Sequence, residues 1–242
     1  MKQIMKMCLI VVLTLATGTI KAQTREETKT LKEWKAGSMV SDAAVKAAGL
    51  DFCFRAGAIS DKVFERMKGK SYKNSCPIPR EELRYVRALH YDADGNIHLG
   101  EMVCNKAIAQ DLVEIFRQLY DACYPIERMV LIDEYDADDE QSMSDNNSSC
   151  FCYRSIGNGK KLSKHARGMA VDLNTLYNPY YKDRKDGSRY VQPEKGRRYC
   201  DRRKSFPYKI SKGDLCYRLF IAHGFTWGGN WKSCKDFQHF EK

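Results

Sequence analysis

Two short segments, far apart in this chain, carry residues that make chemical sense only if folding brings them together. The first is Ser163-Lys164-His165-Ala166-Arg167-Gly168-Met169-Ala170-Val171-Asp172. The second runs Trp227-Gly228-Gly229-Asn230-Trp231 and then Asp236-Phe237-Gln238-His239-Phe240-Glu241. Two imidazoles (His165, His239) and one carboxylate (Asp172) are donor types that a catalytic zinc takes from a protein, with a fourth position left for water. Asp236 stands three residues before His239, placed to act on that water as a general base.

Each half is cheap by itself, since His-x6-Asp and Asp-x-x-His are common and mostly mark ordinary polar pairs. Their combination is not cheap. The chain has five histidines, His90, His98, His165, His223 and His239, and two of them fall in segments dense in Gly and Trp. Gly168–Leu173 alternates as a short strand, with Met169, Val171 and Leu173 on one face and Gly168, Ala170 and Asp172 on the other. Small residues beside Asp172 predict an open face that admits a metal and a substrate backbone. Together the segments read as a zinc hydrolase.

The pattern Ser-x-His-x-x-Gly-x-Ala-x-Asp, followed far downstream by Trp-Gly-Gly-x-Trp and Asp-x-x-His-Phe-Glu, resembles the zinc D-alanyl-D-alanine carboxypeptidase and L-alanyl-D-glutamate endopeptidase family of peptidoglycan peptidases. The resemblance runs from about Ala58 to Glu241. It implies His165, Asp172 and His239 as ligands of one Zn2+, Asp236 as the base, and Arg154 as the cation that holds the polarised substrate carbonyl. Ser163 is a candidate for substrate binding, or for capping the turn that carries His165. Asp at 236, where the carboxypeptidase branch usually has Glu, resembles the endopeptidase branch. The implied substrate is the peptidoglycan stem peptide, cut between L-Ala and D-Glu, with D-Ala-D-Ala carboxypeptidase activity the alternative. A non-catalytic zinc-containing wall-binding module is the alternative of another class, and Asp236 with Arg154 argues against it.

Compartment agrees with that reading. Residues 1–22 carry Lys2 and Lys6, an apolar run from Met7 to Leu15, and small residues ending at Lys21-Ala22. This is the layout of a secretory signal, with cleavage expected after Ala22 and export to the periplasm or beyond. No other stretch reaches the ~18 uninterrupted apolar residues of a membrane span. Beyond Cys8, nine cysteines remain (53, 76, 104, 123, 150, 152, 200, 216 and 234). In an oxidising compartment most are expected to pair as disulfides, and no Cys-x-x-Cys suggests a structural metal site instead.

The chain carries 41 Lys and Arg against 31 Asp and Glu, and loss of the signal segment leaves a net charge of +7. Lys182–Lys204 holds ten of the basic residues. A basic surface attracts acidic polymers such as peptidoglycan. No nucleic-acid motif accompanies it, so that class of partner is not expected, and a monomer is. The acidic run Asp133–Asp145 lacks the ordered Gly and terminal Glu of a calcium loop and reads as a solvated loop.

The expected organisation is a signal peptide (1–22), a peripheral, weakly helical arm (23–50) and a peptidase domain (51–242). Arg80–Tyr91 and Ile97–Val103 alternate across Asp94-Gly95 as a β-hairpin, with His90 and His98 as strand side chains. Asn105–Tyr124 spaces Ile108, Leu112, Ile115, Phe116 and Leu119 as an amphipathic helix. Met129–Asp133 reads as a short buried strand. Ser211-x-x-Asp214 reads as a capping box opening a helix through His223, which Gly224 closes. The fold class is α+β, a small, mainly antiparallel sheet with helices packed on it, similar to the hedgehog/D-alanyl-D-alanine-peptidase fold.

Overall fold

A long hairpin forms the spine of the fold. In the computed structural model, which describes residue 26, residues 28–156 and residues 161–242, β3 (Leu83–Tyr91) and β4 (Ile97–Asn105) pair in unbroken antiparallel register. Asp92 makes the turn between them, its Oδ1 accepting from the backbone N–H of Asp94 and Asn96, while Gly95 supplies the positive φ. β1 (Met39–Val40) and β2 (Arg55–Gly57) complete a four-stranded sheet in the order β1-β4-β3-β2. The expected signal segment lies outside the described residues.

The predicted amphipathic helix is α3, Ala109–Asp121. It follows α1 (Asp42–Ala48) and α2 (Asp61–Met67) and packs on β3 and β2. Leu112, Ile115, Phe116 and Leu119 are fully buried against the sheet, each contributing about 1.5–3 kcal/mol by burial. α2 lays Val63 and Met67 on a second apolar cluster with Leu83, Val103 and Phe151.

Two smaller sheets carry the C-terminal half. β7 (Ala170–Asp172), β10 (Thr226–Trp227) and β12 (His239–Glu241) form one, in the order β10-β12-β7. β8 (Tyr180–Asp183), β9 (Arg189–Gln192) and β11 (Lys235–Asp236) form the other, in the order β11-β8-β9. β5 (Ser155–Ile156) pairs with β6 (Lys161–Leu162). With α4 (Asp139–Ser144) and α5 (Leu215–Ala222), this is an α+β fold built from antiparallel sheets.

Several expectations shift. The N-terminal arm is not peripheral: Leu31 and Trp34 are buried in the main core, and Trp34 Nε1 donates to the Gly100 carbonyl at 3.0 Å. Met129–Asp133 is buried but is not a strand, because the Asn147 amide takes both the N–H and the C=O of Val130 that a neighbouring strand would have used. A 3-10 turn, Ile132–Tyr135, follows. The acidic run is partly ordered as that turn and α4, and Asp133 is buried, accepting from Ser71 N. The capping box moves by three residues. Asp214, not Ser211, caps α5 by accepting from Tyr217 N, a contact worth about 1 kcal/mol, and Ser211 N donates back to Asp214.

No disulfide joins the described cysteines, Cys53 to Cys234, and Cys53, Cys104, Cys150 and Cys216 lie in the main core. There they pack as small apolar side chains. Burial pushes their thiols well above the usual range, which makes them inert.

Candidate metal centre

β12 lies beside β7 in a register that sets His239 directly opposite Asp172. Opposed residues of an antiparallel pair project to the same face. His165 reaches that face from a 3-10 turn, His165–Arg167. Ser163 Oγ caps the turn by accepting from Ala166 N at 2.9 Å, and Gly168 closes it with φ +67°. The Ser163 hydroxyl thus serves the His165 turn directly and keeps its proton free to donate.

Gly168 does a different job from the one expected. A Cβ there would stand 2.6 Å from Asn105 N. It admits the end of β4, whose Asn105 N–H donates to the Gly168 carbonyl.

His165 Nε2, His239 Nδ1 and the Asp172 carboxylate converge on one point. The two nitrogens are 3.2 Å apart, His239 Nδ1 lies 3.0 Å from Asp172 Oδ1, and His165 Nε2 lies 3.2 Å from the other carboxylate oxygen, Oδ2. One ligand atom from each residue lies within 4.8 Å of the others, and these are donor types that a zinc takes, so the three residues are placed to share one ion. The outer partners fix which nitrogen faces the site. His165 Nδ1–H donates to the Cys150 carbonyl at 2.7 Å, leaving Nε2 for the metal. His239 Nε2–H donates to Glu241 Oε2 at 3.2 Å, leaving Nδ1. Such partners set tautomer and ring orientation.

Charge couples these side chains. Burial penalises a charged Asp172, but the two histidines outweigh it and hold the carboxyl far below its ordinary range. Burial likewise opposes a charged His239, yet hydrogen bonds to Asp172 and Glu241 lift it to about 10. A bound cation would take the place of a proton on His239.

Asp236 is buried, and its Oδ1 has no hydrogen-bond partner among the described residues. Burial, with the nearby Asp172 charge, raises its carboxyl to about 7. A buried orphan acceptor costs about 1–3 kcal/mol and marks a place for a partner such as water. The close approach of Gly228 positions it: a Cβ there would lie 2.6 Å from the Asp236 carbonyl and 3.3 Å from His239 Cβ. β11 in turn pairs Asp236 with Tyr180 of β8, so the basic β8–β9 hairpin borders the site.

Arg154 ends the extended segment before β5 and forms an ion pair with Asp139 at the start of α4. Burial lowers its pKa, while the charges of Asp172 and Asp236 raise it, so the guanidinium feels the site. Trp227 is a core residue whose Nε1 donates to the Phe237 carbonyl. The half-buried Trp231 places its ring centroid 5.3 Å from that of His239. Sequence reasoning missed Glu241, Asp139 and the Cys150 carbonyl. Strand alternation held the clue to Glu241, since residues i and i+2 share a face.

Residues 157–242 match the family model described as D-alanyl-D-alanine carboxypeptidase. The match supports a peptidase, hence a hydrolase, and spans His165, Asp172, Asp236 and His239. It begins after Arg154. Comparison with curated proteins and with solved structures finds no significant match. No described helix is long and apolar enough to cross a membrane.

Proposed function

We propose that the chain is an exported zinc peptidase that hydrolyses peptidoglycan stem peptides, cutting between L-Ala and D-Glu. The observation that carries this reading is the donor cluster beside the orphaned Asp236 Oδ1. His165 Nε2, His239 Nδ1 and Asp172 would hold the zinc. Bound there, zinc supplies Lewis acidity, lowering a water's pKa toward ~7 and polarising the scissile carbonyl.

The protein's own groups supply the rest. With a carboxyl held near neutrality by burial, Asp236 accepts a proton from the attacking water and passes it to the leaving amine. Arg154 faces the negative charge that develops on the carbonyl oxygen, the contribution that preorganised charges make most strongly. Its ion pair with Asp139 orients the guanidinium before substrate arrives. The basic hairpin at the border of the site draws in an acidic wall polymer. Secretion by way of residues 1–22 belongs to the same proposal.

D-Ala-D-Ala carboxypeptidase activity is the second reading, favoured by the description of the matching family model. Purified muropeptides decide between the two. A new N-terminal D-Glu, seen by mass spectrometry, is the expected product. Free D-Ala with the L-Ala–D-Glu bond intact selects the carboxypeptidase. No cleavage by zinc-loaded protein removes both.

A further inference from the structure

A second concave site lies on the four-stranded sheet, away from the donor cluster. Its cavity is about 1110 Å3, bounded by residues 33–38 of the N-terminal arm on one side and by α2 on the other. None of His165, Asp172, Asp236 or His239 lines it. Pockets for small organic ligands have volumes of about 300–1,000 Å3, so the space is ample for one.

Its floor contains an unbalanced charge. The register sets Arg55 of β2 opposite Arg87 of β3, and Arg87 opposite Glu101 of β4. Like charges directly opposed across a strand pair destabilise a sheet. Glu101 relieves them only in part, because its own hydrogen bonds go elsewhere. It is buried, accepts from both terminal nitrogens of Arg66, and accepts from the Tyr85 hydroxyl at 2.6 Å. Arg66 also spans to Glu134.

Arg87 is left with aromatic company. Its guanidinium carbon lies 5.0 Å from the Trp34 ring centroid, 5.5 Å from Phe52 and 5.9 Å from Tyr85. Its Nη1 is buried without a hydrogen-bond partner among the described residues. Burial and the neighbouring Arg55 press against its charge, and together they outweigh the support that it draws from Tyr85 and Glu101. A buried donor with nothing to donate to is costly, and Arg87 and Arg55 both line the cavity. What it lacks is an anion.

We propose that this cavity binds a small organic carboxylate through Arg87 and Arg55, with the ring faces of Trp34 and Tyr85 covering its apolar part. A carboxylate matches the planar fork of a guanidinium and accepts two parallel N–H bonds. The carboxylates of Glu33 and Glu134, which also line the space, disfavour a more highly charged oxyanion such as phosphate.

The test is titration of the full-length, zinc-loaded protein with benzoate, read by calorimetry and by Trp fluorescence. Benzamide serves as the neutral isostere, and inorganic phosphate as the competing oxyanion. The expected result is saturable benzoate binding that benzamide does not reproduce and that weakens at least about tenfold in both Arg87→Gln and Arg55→Gln. Arg55 is exposed, so its variant tests the site even where Arg87→Gln fails to fold. Benzoate binding that survives both substitutions belongs elsewhere, the metal centre included, and overturns the proposal. Absence of saturable binding does the same, and tighter binding of phosphate overturns the carboxylate assignment.

Discussion

His239 and Asp172 stand directly opposite each other across β12 and β7, with Nδ1 and Oδ1 3.0 Å apart. This one register contact fixes two of the three donors on rigid strands, and only His165 depends on a turn. A site assembled this way should hold its geometry before metal arrives.

Zinc affinity should therefore follow both the donors and the groups behind them. Replacing His165, Asp172 or His239 by Ala should each weaken zinc binding severely. Glu241→Gln, which alters only the carboxylate behind His239 Nε2, should cost about 10–100-fold in affinity with the fold intact. Competition against a chromogenic chelator measures both, and equal affinity in wild type and Glu241→Gln would remove Glu241 from this role.

Asp236→Asn should separate base from ligand. The variant keeps the size of the side chain and should retain zinc, while hydrolysis falls by roughly 10²–10⁴-fold. Elemental analysis beside muropeptide turnover distinguishes the roles. Loss of metal as complete as in His239→Ala would make Asp236 a ligand.

Gly228 should tolerate no side chain. An added methyl meets the Asp236 carbonyl at 2.6 Å and Asp236 Cβ at 2.8 Å, so Gly228→Ala should cost about 1–3 kcal/mol by overpacking and displace the base. The matched control is Gly57→Ala, where the methyl meets nothing within 4 Å. Denaturant unfolding should separate the two variants clearly.

His90 should make the fold acid-sensitive. Burial depresses its pKa to about 4, with Nε2 left without a partner among the described residues, and it outweighs the hydrogen bond from Nδ1–H to the Ile126 carbonyl, which acts the other way. The unfolded chain, at an ordinary pKa near 6.5, binds a proton that the fold refuses. Stability from this residue is thus complete above about pH 6.5 and is lost as pH falls toward 4, by about 3 kcal/mol in all. His90→Asn retains a donor for Ile126 without a titrating ring, and its stability curve should be flatter across that window.

The sequence by itself located the clustered donor residues and several local elements. His165, Asp172, Asp236 and His239 could be named from type and spacing, and all four are buried in one place. Alternation around Asp94-Gly95 and helical spacing from Leu112 to Leu119 located the hairpin and α3, because both patterns record which face of a local element meets the core.

Tertiary structure decided what depends on partners distant in the chain. Which nitrogen of each imidazole faces the site is set by the Cys150 carbonyl and by Glu241. Asn147 suppressed a strand at Val130 by satisfying its backbone groups. Gly168 was read as part of an open face, yet its smallness serves the close approach of β4. Trp34 looked peripheral until the edge of the sheet required an apolar cover. Local pattern states what a residue can do; register, burial depth and the unpaired charge on Arg87 arise only when separate segments meet, since each is a property of neighbours that periodicity does not encode.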